Sequence, residues 1–410
     1  MQAERETLKR GKVNYTLVIT VALLAILGLT MVFSAGSYIA QDVGDSPLDP
    51  LISQGVFMVM GVAALITLSF IDYNLYRNRL VLYGLLSISM FLVGIVWIDG
   101  IGQYINNSRR WILIPVIGIT IQPGELAKFP LVMFIAYKLA LRTEIKSKPN
   151  AAEKDFLLKT VLPVLGVCGF LFLFVILQPN LSTAGCLLIV TVIMLAIGGM
   201  KWKHIGLLVL IGIAGAAVLV LTSEYRRDRL IGLLNQESTS GNEAYQLTQS
   251  LLAIGSGGLF GVGIGQSRQK LLFLPYCESD FIFAIVCEEL GLVGAATVVL
   301  LFALFIFNGI KVAIKCRDRF GSMLAAGISV VFAVQVILNI AVVIGIFPTT
   351  GLPLPLFSAG GTNLIIFMAG AGILLNISRY ANSPVEGIKG QKVAADQKPP
   401  DNVRAFRRAN

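Results

Sequence analysis

Asp280 stands at the start of a long apolar run, within the stretch LLFLPYCESDFIF at positions 271–283. A carboxylate at a membrane boundary is costly to keep, and an ionised one can take a proton from a substrate hydroxyl group. The dipole of a helix that starts here would favour the ionised form. The structural alternative is that Asp280 caps the helix, because aspartate is a good cap residue. Our hypothesis is that Asp280 is a catalytic general base.

Two further carboxylates follow in the same apolar run. Glu288 and Glu289 lie about two turns beyond Asp280. On a helix of 3.6 residues per turn they are offset from it by about 80° and 180°. Of the two, Glu288 is therefore the one that could share a cavity with Asp280, and for Glu289 we expect hydrogen bonding between helices.

A second candidate pair lies in SRRWILIPVIGITIQPGELAKFP, at positions 108–130. The sequence Gln-Pro-Gly at 122–124 breaks the chain, and the helix that follows carries Glu125 and Lys128 three residues apart on one face. An ionisable residue within a membrane span is a functional candidate by default. The alternative is an ion pair that only stabilises the helix bundle.

Two other segments place polar groups beside apolar runs. QPNLSTAG, at 178–185, supplies Gln178, although its side chains could equally form a turn and a helix cap. FPTTGLPLPLFSAGGTNL, at 347–364, contains Ser358 together with three prolines and three glycines, which exclude a continuous helix. Non-helical backbone at this depth persists only where protein or a water-lined cavity covers it. We expect a re-entrant segment here.

The run AYQLTQSLLAIGSGGLFGVGIGQSRQK, at 244–270, joins a helical pattern to closely spaced glycines. It lacks the G-x-x-x-x-G-K-[ST] pattern of a phosphate loop, and no strand precedes it. We therefore expect no nucleotide cofactor. Haem and flavin are not expected either. A flexible or re-entrant loop that shapes an outer cavity fits the pattern better.

The chain that positions these residues has 410 residues and is 56% hydrophobic and 14% charged, with a mean hydropathy of +0.79. A soluble domain carries about 25% charged residues, and roughly 20 apolar residues span a bilayer. We therefore predict an all-α polytopic membrane protein with about ten transmembrane helices and a large outer loop at 223–279, between the seventh and the eighth. The predicted spans are 15–36, 52–71, 80–98, 124–142, 160–177, 181–199, 205–222, 280–307, 321–346 and 361–378.

An even number of spans places both termini on one side of the membrane. With the N-terminus inside, most of the 33 lysines and arginines fall in cytoplasmic segments, as the positive-inside tendency requires. We expect a cytoplasmic tail at 1–14 without a cleavable signal, a transmembrane domain at 15–380 and a disordered cytoplasmic tail at 381–410. The net charge of +10 then reflects this rule and contact with membrane lipids, not nucleic acid.

Some cations remain outside on this topology. Arg109 and Arg110 lie in a short outer loop, and Lys270 lies with several arginines in the large one. Retained outer cations suggest an anionic ligand, although long loops translocate regardless of charge. His204 is the only histidine, which argues against histidine metal sites and Ser–His–Asp chemistry. The five cysteines give no disulfide framework.

These segments resemble the SEDS family (shape, elongation, division and sporulation), represented by FtsW, RodA and SpoVE. The resemblance covers nearly all of 15–380 and rests on a series of motifs in the family's order. They are RRWI, QPGELAK, QPNLSTA, GQSRQKLLFLP, SDFIFAIVCEELGLVG and PTTGLPLPLFSAGGTNL. The form GQSRQK and the ending GILLNISRY are closer to FtsW and SpoVE than to RodA.

The resemblance implies a peptidoglycan glycosyltransferase that polymerises lipid II on the outer face of the cytoplasmic membrane, in division or sporulation. It also implies a class B penicillin-binding protein as transpeptidase partner, together with division proteins. The family's essential aspartate falls on Asp280, and its E-x-x-K pair falls on Glu125 and Lys128. The chain departs from the family where histidine, aspartate and tyrosine are common, since it carries Glu278, Asn180 and Ala359 there.

The mechanism that we hypothesise is a single displacement with inversion. Asp280 deprotonates the acceptor sugar, while the departing diphosphate is stabilised by cations, alone or with a divalent metal ion, Mg²⁺ or Mn²⁺. The cations are Arg109, Arg110, Lys128 or Lys270, and the other proposed substrate-binding residues are Glu125, Gln178, Glu288 and Ser358. One alternative is a transporter that flips a lipid-linked precursor, which would need a charged site near the midplane. Another is a non-catalytic scaffold.

Overall fold

The computed structural model describes residues 11–98, 101–105, 108–114, 119–141, 149–222, 227, 242–349 and 351–381. Helices dominate these residues. In chain order they are α1 (Tyr15–Asp42), α2 (Asp49–Phe70), α3 (Arg79–Ile95), α4 (Pro123–Leu141), α5 (Pro149–Phe156), α6 (Leu162–Leu177), α7 (Leu181–Ile197), α8 (Trp202–Leu221), α9 (Asn242–Ser256), α10 (Ile282–Lys315), α11 (Arg319–Val343) and α12 (Gly361–Ala381). A 3₁₀ helix at Tyr73–Arg77 precedes α3, and a π turn at Leu157–Val161 joins α5 to α6.

The prediction of a polytopic helical membrane protein is confirmed. Seven helices of the described chain are long and apolar enough to cross a bilayer: Tyr15–Asp42, Asp49–Phe70, Glu153–Leu177, Trp202–Leu221, Ile282–Lys315, Arg319–Val343 and Gly361–Ala381. Each of the ten predicted spans falls on a helix, with α3, α4 and α7 completing the set. Ten as the exact number of crossings stays a prediction.

The helices divide into a buried centre and an apolar periphery. Helix α4 is buried along nearly its whole length, and most of α11 and α12 is buried as well. In α8, by contrast, only 6% of the most apolar 18-residue stretch is buried within the protein. An apolar helix that packs so little against its own chain is typical of contact with lipid, because lipid tails are as apolar as leucine.

Both ends of the described chain meet at one end of the bundle. The N–H of Gly11 donates to the carbonyl of Arg379 at 3.0 Å. The side chain of Asn14 caps α1, and its own N–H donates to Ser378 Oγ at 3.3 Å. The start of the first helix is therefore fixed to the last turn of α12. The tails predicted at 1–14 and 381–410 lie almost wholly outside the described residues.

A three-stranded antiparallel sheet, which was not predicted from the sequence, lies between α3 and α4. Its strands are β1 (Gly102–Ile105), β2 (Ser108–Ile114) and β3 (Ile119–Ile121), in the order β1-β2-β3. The register pairs Gln103 with Trp111 and Ile112 with Ile121. Thr362 Oγ1 donates to the carbonyl of Thr120 at 2.5 Å, which ties the sheet to the start of α12.

Helix α10 is broken at Gly291, where φ is 66° and ψ is −166°. The glycine-rich loop at 257–265 fills the break and supplies partners for the main-chain groups that the break exposes. The N–H groups of Val262 and Gly263 donate to the carbonyls of Glu288 and Glu289, and those of Leu292 and Val293 donate to Gly258 and Leu259, all at 2.9–3.1 Å. The glycine loop that was predicted to be re-entrant or flexible is therefore bound to α10 through main-chain hydrogen bonds.

We expect Gly291→Ala to destabilise the protein, because this backbone conformation is essentially confined to glycine and a Cβ here would overlap the loop main chain at Gly261. The expected cost is about 1–3 kcal/mol. Gly169→Ala is the matched control, since nothing lies within 4 Å of a Cβ at that position. Thermal unfolding in detergent measures both variants. Equal unfolding temperatures for the two would contradict the role given to Gly291 in the contact between α10 and the glycine loop.

Candidate active site

Asp280 lies just before α10 and beside the re-entrant segment 351–360. The helix begins at Ile282, and its cap position is held by Phe281. Asp280 is half-buried, and its Oδ2 lies 3.3 Å from the point where a Cβ on Gly351 would stand. Arg110 Nη1 lies 3.7 Å from the same point. A carboxylate and a guanidinium group therefore flank one position of the re-entrant segment.

Residues 351–360 are non-helical, as the prolines and glycines predicted, and hydrogen bonds fix them to the chain before α10. Ser358 Oγ donates to the carbonyl of Ser279 at 2.6 Å and accepts from the N–H of Leu354 at 2.7 Å. The N–H of Ala359 donates to the carbonyl of Glu278 at 2.8 Å. Ala359 and Glu278, which depart from the family pattern, meet through main-chain atoms, so this contact does not depend on their side chains.

Glu125 and Lys128 form a buried ion pair in the first turns of α4. Lys128 Nζ lies 2.7 Å from Glu125 Oε1, and the two side chains are 1% and 2% exposed, in the order Lys128 and Glu125. Lys128 also donates to Gln335 Oε1 at 2.5 Å, and Thr183 Oγ1 donates to Glu125 Oε1 at 3.0 Å. The pair thus joins α4 to α7 and α11, and the charges are satisfied by protein groups.

Two residues of α11 belong to this region although they were not predicted from the sequence. Gln335 Nε2 donates to the carbonyl of Pro353 at 2.9 Å. Asn339 Nδ2 donates to the carbonyls of Asp280 and Leu352, at 2.9 and 2.8 Å. Gln335 and Asn339 are four residues apart on one helix face. Their sequence signal is a pair of uncharged amide side chains inside an apolar span. Such amides are less conspicuous there than ionisable side chains.

Gln178 and Asn180 close the turn between α6 and α7. Gln178 is buried, and its Nε2 donates to the carbonyl of Val93 at 2.8 Å. The side chain of Asn180 caps α7 by accepting from the N–H of Thr183 at 3.2 Å. The turn-and-cap alternative describes the geometry of this segment, and the predicted substrate contact of Gln178 stays a prediction.

Lys270 forms a second buried ion pair, with Glu289 on α10 at 3.3 Å. Ser34 Oγ on α1 donates to Glu289 Oε1 and Oε2, both at 2.7 Å. Glu289 therefore forms the hydrogen bond between helices that we expected of it.

Glu288 accepts three hydrogen bonds from the segment that follows the glycine loop. Ser267 Oγ donates at 2.5 Å, the N–H of Arg268 at 2.9 Å and the N–H of Gln269 at 3.4 Å. Glu288 and Glu289 together thus hold the sequence GQSRQK against α10.

Seven of the nine predicted site residues fall into three groups, and Gln178 and Arg109 lie outside them. Asp280, Arg110 and Ser358 meet at the re-entrant segment, and Glu125 with Lys128 reaches that segment through Gln335. Lys270 and Glu288 belong to the network on α10. Arg109 is half-buried on β2, next to Arg110 in the chain. The described residues contain no group of three His, Cys, Asp or Glu placed to hold a metal ion.

The fold and the site together define a polytopic helical membrane protein with a carboxylate–guanidinium site beside a re-entrant segment. The profile of the FtsW/RodA/SpoVE family, described as "Cell cycle protein", matches residues 14–383. The chain belongs to this family.

Two relatives span almost the whole chain. Stage V sporulation protein E of Bacillus subtilis is 37% identical over 375 residues, which cover 92% of this chain and 99% of that protein. The "Probable peptidoglycan glycosyltransferase FtsW" of Geobacter metallireducens is 35% identical over 367 residues, which cover 89% and 95%.

Two solved structures share the fold. A chain from the work "Structural coordination of polymerization and crosslinking by a peptidoglycan synthase complex" matches with a TM-score of 0.71 at 25% identity, covering 91% of this chain and 99% of that one. The rod shape determining protein RodA of Thermus thermophilus matches with a TM-score of 0.64 at 26% identity, covering 90% and 97%.

We expect Lys270→Met to lower stability by about 3 kcal/mol, because it leaves the carboxylate of Glu289 buried without its cation. Lys201→Met is the control, since Lys201 pairs with Glu153 at an exposed position where an ion pair contributes little. Thermal unfolding in detergent measures both variants. Should the control lose as much stability as Lys270→Met, the second ion pair is not structural.

Proposed function

We propose that the protein is a peptidoglycan glycosyltransferase that polymerises lipid II into glycan strands. The observation that carries this proposal is the placement of Asp280 and Arg110 next to Gly351, the first residue of the re-entrant segment 351–360. The relatives named as peptidoglycan glycosyltransferases, with up to 35% identity over most of the chain, support it. The similarity to stage V sporulation protein E supports a role in sporulation or division.

In the proposed reaction the acceptor sugar's 4-hydroxyl attacks the anomeric carbon of the donor. Asp280 takes the hydroxyl proton as the new carbon–oxygen bond forms, a step typically worth 10²–10⁴-fold in rate. The bond from the anomeric carbon to the diphosphate breaks on the opposite side, so that an α-linked donor gives a β-linked product. The diphosphate leaves with the electron pair, and the developing charge is stabilised by Arg110, with Arg109 beside it in β2.

The two lysines proposed for the same task lie in a different environment. Lys128 and Lys270 are each buried against a glutamate, at 2.7 and 3.3 Å. Either lysine would have to leave its carboxylate before it could contact a diphosphate. The arginines of β2 are therefore our first choice for the leaving group.

A divalent cation, Mg²⁺ or Mn²⁺, stays a prediction. Mg²⁺ is commonly bound by one or two carboxylates together with the phosphates of a substrate. Within the described chain, no three acidic, histidine or cysteine side chains are grouped to hold a metal ion, so a divalent cation would depend on the substrate phosphates for part of its coordination.

We further propose that the protein lies in the cytoplasmic membrane with both termini in the cytoplasm and Asp280 on the outer side. The distribution of lysine and arginine along the chain supports this orientation. A class B penicillin-binding protein is the proposed transpeptidase partner, in agreement with the match to a chain of a peptidoglycan synthase complex.

The flippase alternative requires a charged site that both sides of the membrane can reach. In the structure, Asp280 precedes α10, Glu125 lies in the first turn of α4, and Ser358 precedes α12. These helix starts gather at one end of the bundle, which favours chemistry at one surface over transport.

We expect Asp280→Asn to lower the rate of polymerisation roughly 10²–10⁴-fold, because an amide cannot accept the hydroxyl proton. Protein reconstituted with lipid II and its transpeptidase partner, followed for glycan chains, gives the rate. Asp45→Asn, the same change in an exposed loop after α1, should keep wild-type activity. Polymerisation at the wild-type rate by Asp280→Asn would refute the proposed base.

The orientation in the membrane is tested by adding one cysteine at a time, either before or after α10. Phe273 is 52% exposed before the helix, and Arg317 is exposed after it. We expect a membrane-impermeant maleimide to label Phe273→Cys in intact spheroplasts and Arg317→Cys only after lysis. The reverse order would place Asp280 in the cytoplasm and remove the proposed function.

The native thiols near these positions should give little background. Burial, with a smaller effect of Glu278, raises the pKa of the Cys277 thiol well above its ordinary value. Burial raises the pKa of Cys316 to about 11. Since maleimide reacts with the thiolate, both cysteines should stay unlabelled in the unmodified protein at pH 7.

A further inference from the structure

Gln335 and Asn339 connect the buried ion pair of α4 to the residue that we propose as the base. Starting from the ion pair, Lys128 Nζ donates to Gln335 Oε1, and Gln335 Nε2 donates to the carbonyl of Pro353. The neighbouring carbonyl of Leu352 accepts from Asn339. The same Asn339 amide reaches the carbonyl of Asp280 at 2.9 Å.

Both amides are inaccessible to a substrate. Gln335 is 0% exposed and Asn339 is 1% exposed. Neither can therefore bind sugar or diphosphate directly without a rearrangement of the bundle. Their amide groups instead satisfy main-chain carbonyls of a non-helical segment, which lipid cannot do.

The hydrogen bonds to the carbonyls of Leu352 and Pro353 act directly beside the proposed site. Residues 352 and 353 follow directly after Gly351, the position that Asp280 and Arg110 flank. Holding the two carbonyls fixes the main chain on which the carboxylate and the guanidinium group converge. A shift of about 1 Å in such an arrangement can cost 10²-fold in rate.

We propose that Gln335 and Asn339 are positioning residues through which the Glu125–Lys128 pair sets the geometry at Asp280. In this arrangement the ion pair acts on the reaction without touching the substrate. The kinetic part of the proposal rests on the proposed polymerase function, whereas the structural part does not.

Hydrogen exchange tests the structural part without any substrate. We expect Gln335→Met and Asn339→Leu each to speed amide exchange in the peptide covering 351–360 by at least about fivefold, because each removes a side-chain hydrogen bond to that segment. Gln335→Glu should do the same, since it keeps an acceptor for Lys128 but loses the donor to Pro353. Unchanged exchange in all three variants would overturn the proposal.

The matched control is Ser329→Ala on the same helix. Ser329 is fully buried, and its Oγ donates to the carbonyl of Ala325 within α11. It therefore tests the loss of a buried polar group without a contact to the re-entrant segment. Equal acceleration at 351–360 in this variant would show general loosening of α11 and would also overturn the proposal.

Kinetics test the positioning role. With lipid II as substrate, Gln335→Met and Asn339→Leu should lower kcat at least about tenfold and leave KM within about twofold, because neither side chain contacts the substrate. A rise in KM with kcat unchanged would indicate direct substrate binding and would overturn the assignment. If the wild-type protein forms no glycan chains while the exchange result holds, the polymerase function fails and the structural link stands.

A double variant tests whether the ion pair acts through Gln335. We expect Lys128→Met combined with Gln335→Met to exchange at 351–360 no faster than the quicker of the two single variants, since both break one chain of contacts. Additive effects would mean that the ion pair reaches the site by another route, which would overturn the role given to Gln335. Exchange in the peptide of α10 after Gly291 reports whether each variant is folded.

Discussion

Main chain that leaves the helical conformation inside a membrane bundle exposes amide and carbonyl groups that lipid cannot satisfy. Among the described residues this constraint is met at the re-entrant segment 351–360 and at the break in α10. Side-chain amides of α11 satisfy the first, and the glycine loop at 257–265 satisfies the second. Asp280 is hydrogen-bonded to the first of these arrangements and lies at the start of the helix that contains the second, so its position depends on both.

The buried charged side chains also find their partners within the protein. Lys128 pairs with Glu125 and Lys270 with Glu289. The hydroxyl groups of Thr183 and Ser34 donate further hydrogen bonds to the two carboxylates. Removing two opposite charges from water together is far less costly than burying one alone. These ion pairs connect elements of the bundle, and the substrate contacts predicted for Lys128 and Lys270 stay predictions.

Much of the fold could be predicted from apolar run length alone, because a bilayer sets the length of a helix that crosses it. The re-entrant segment followed from its prolines and glycines. The sheet at 102–121 was missed because its strands are too short to register as spans. The roles of Gln335 and Asn339 could not be predicted, since they depend on carbonyls distant in sequence that meet only after the helices pack.

The bond between Gly11 and Arg379 has a consequence for biogenesis. Helix α1 is translated before the other described helices, yet the partner of its leading end lies in the last turn of α12. This hydrogen bond can therefore form only after α12 has been synthesised. A chain truncated before α12 would lack this contact between the two ends of the described bundle.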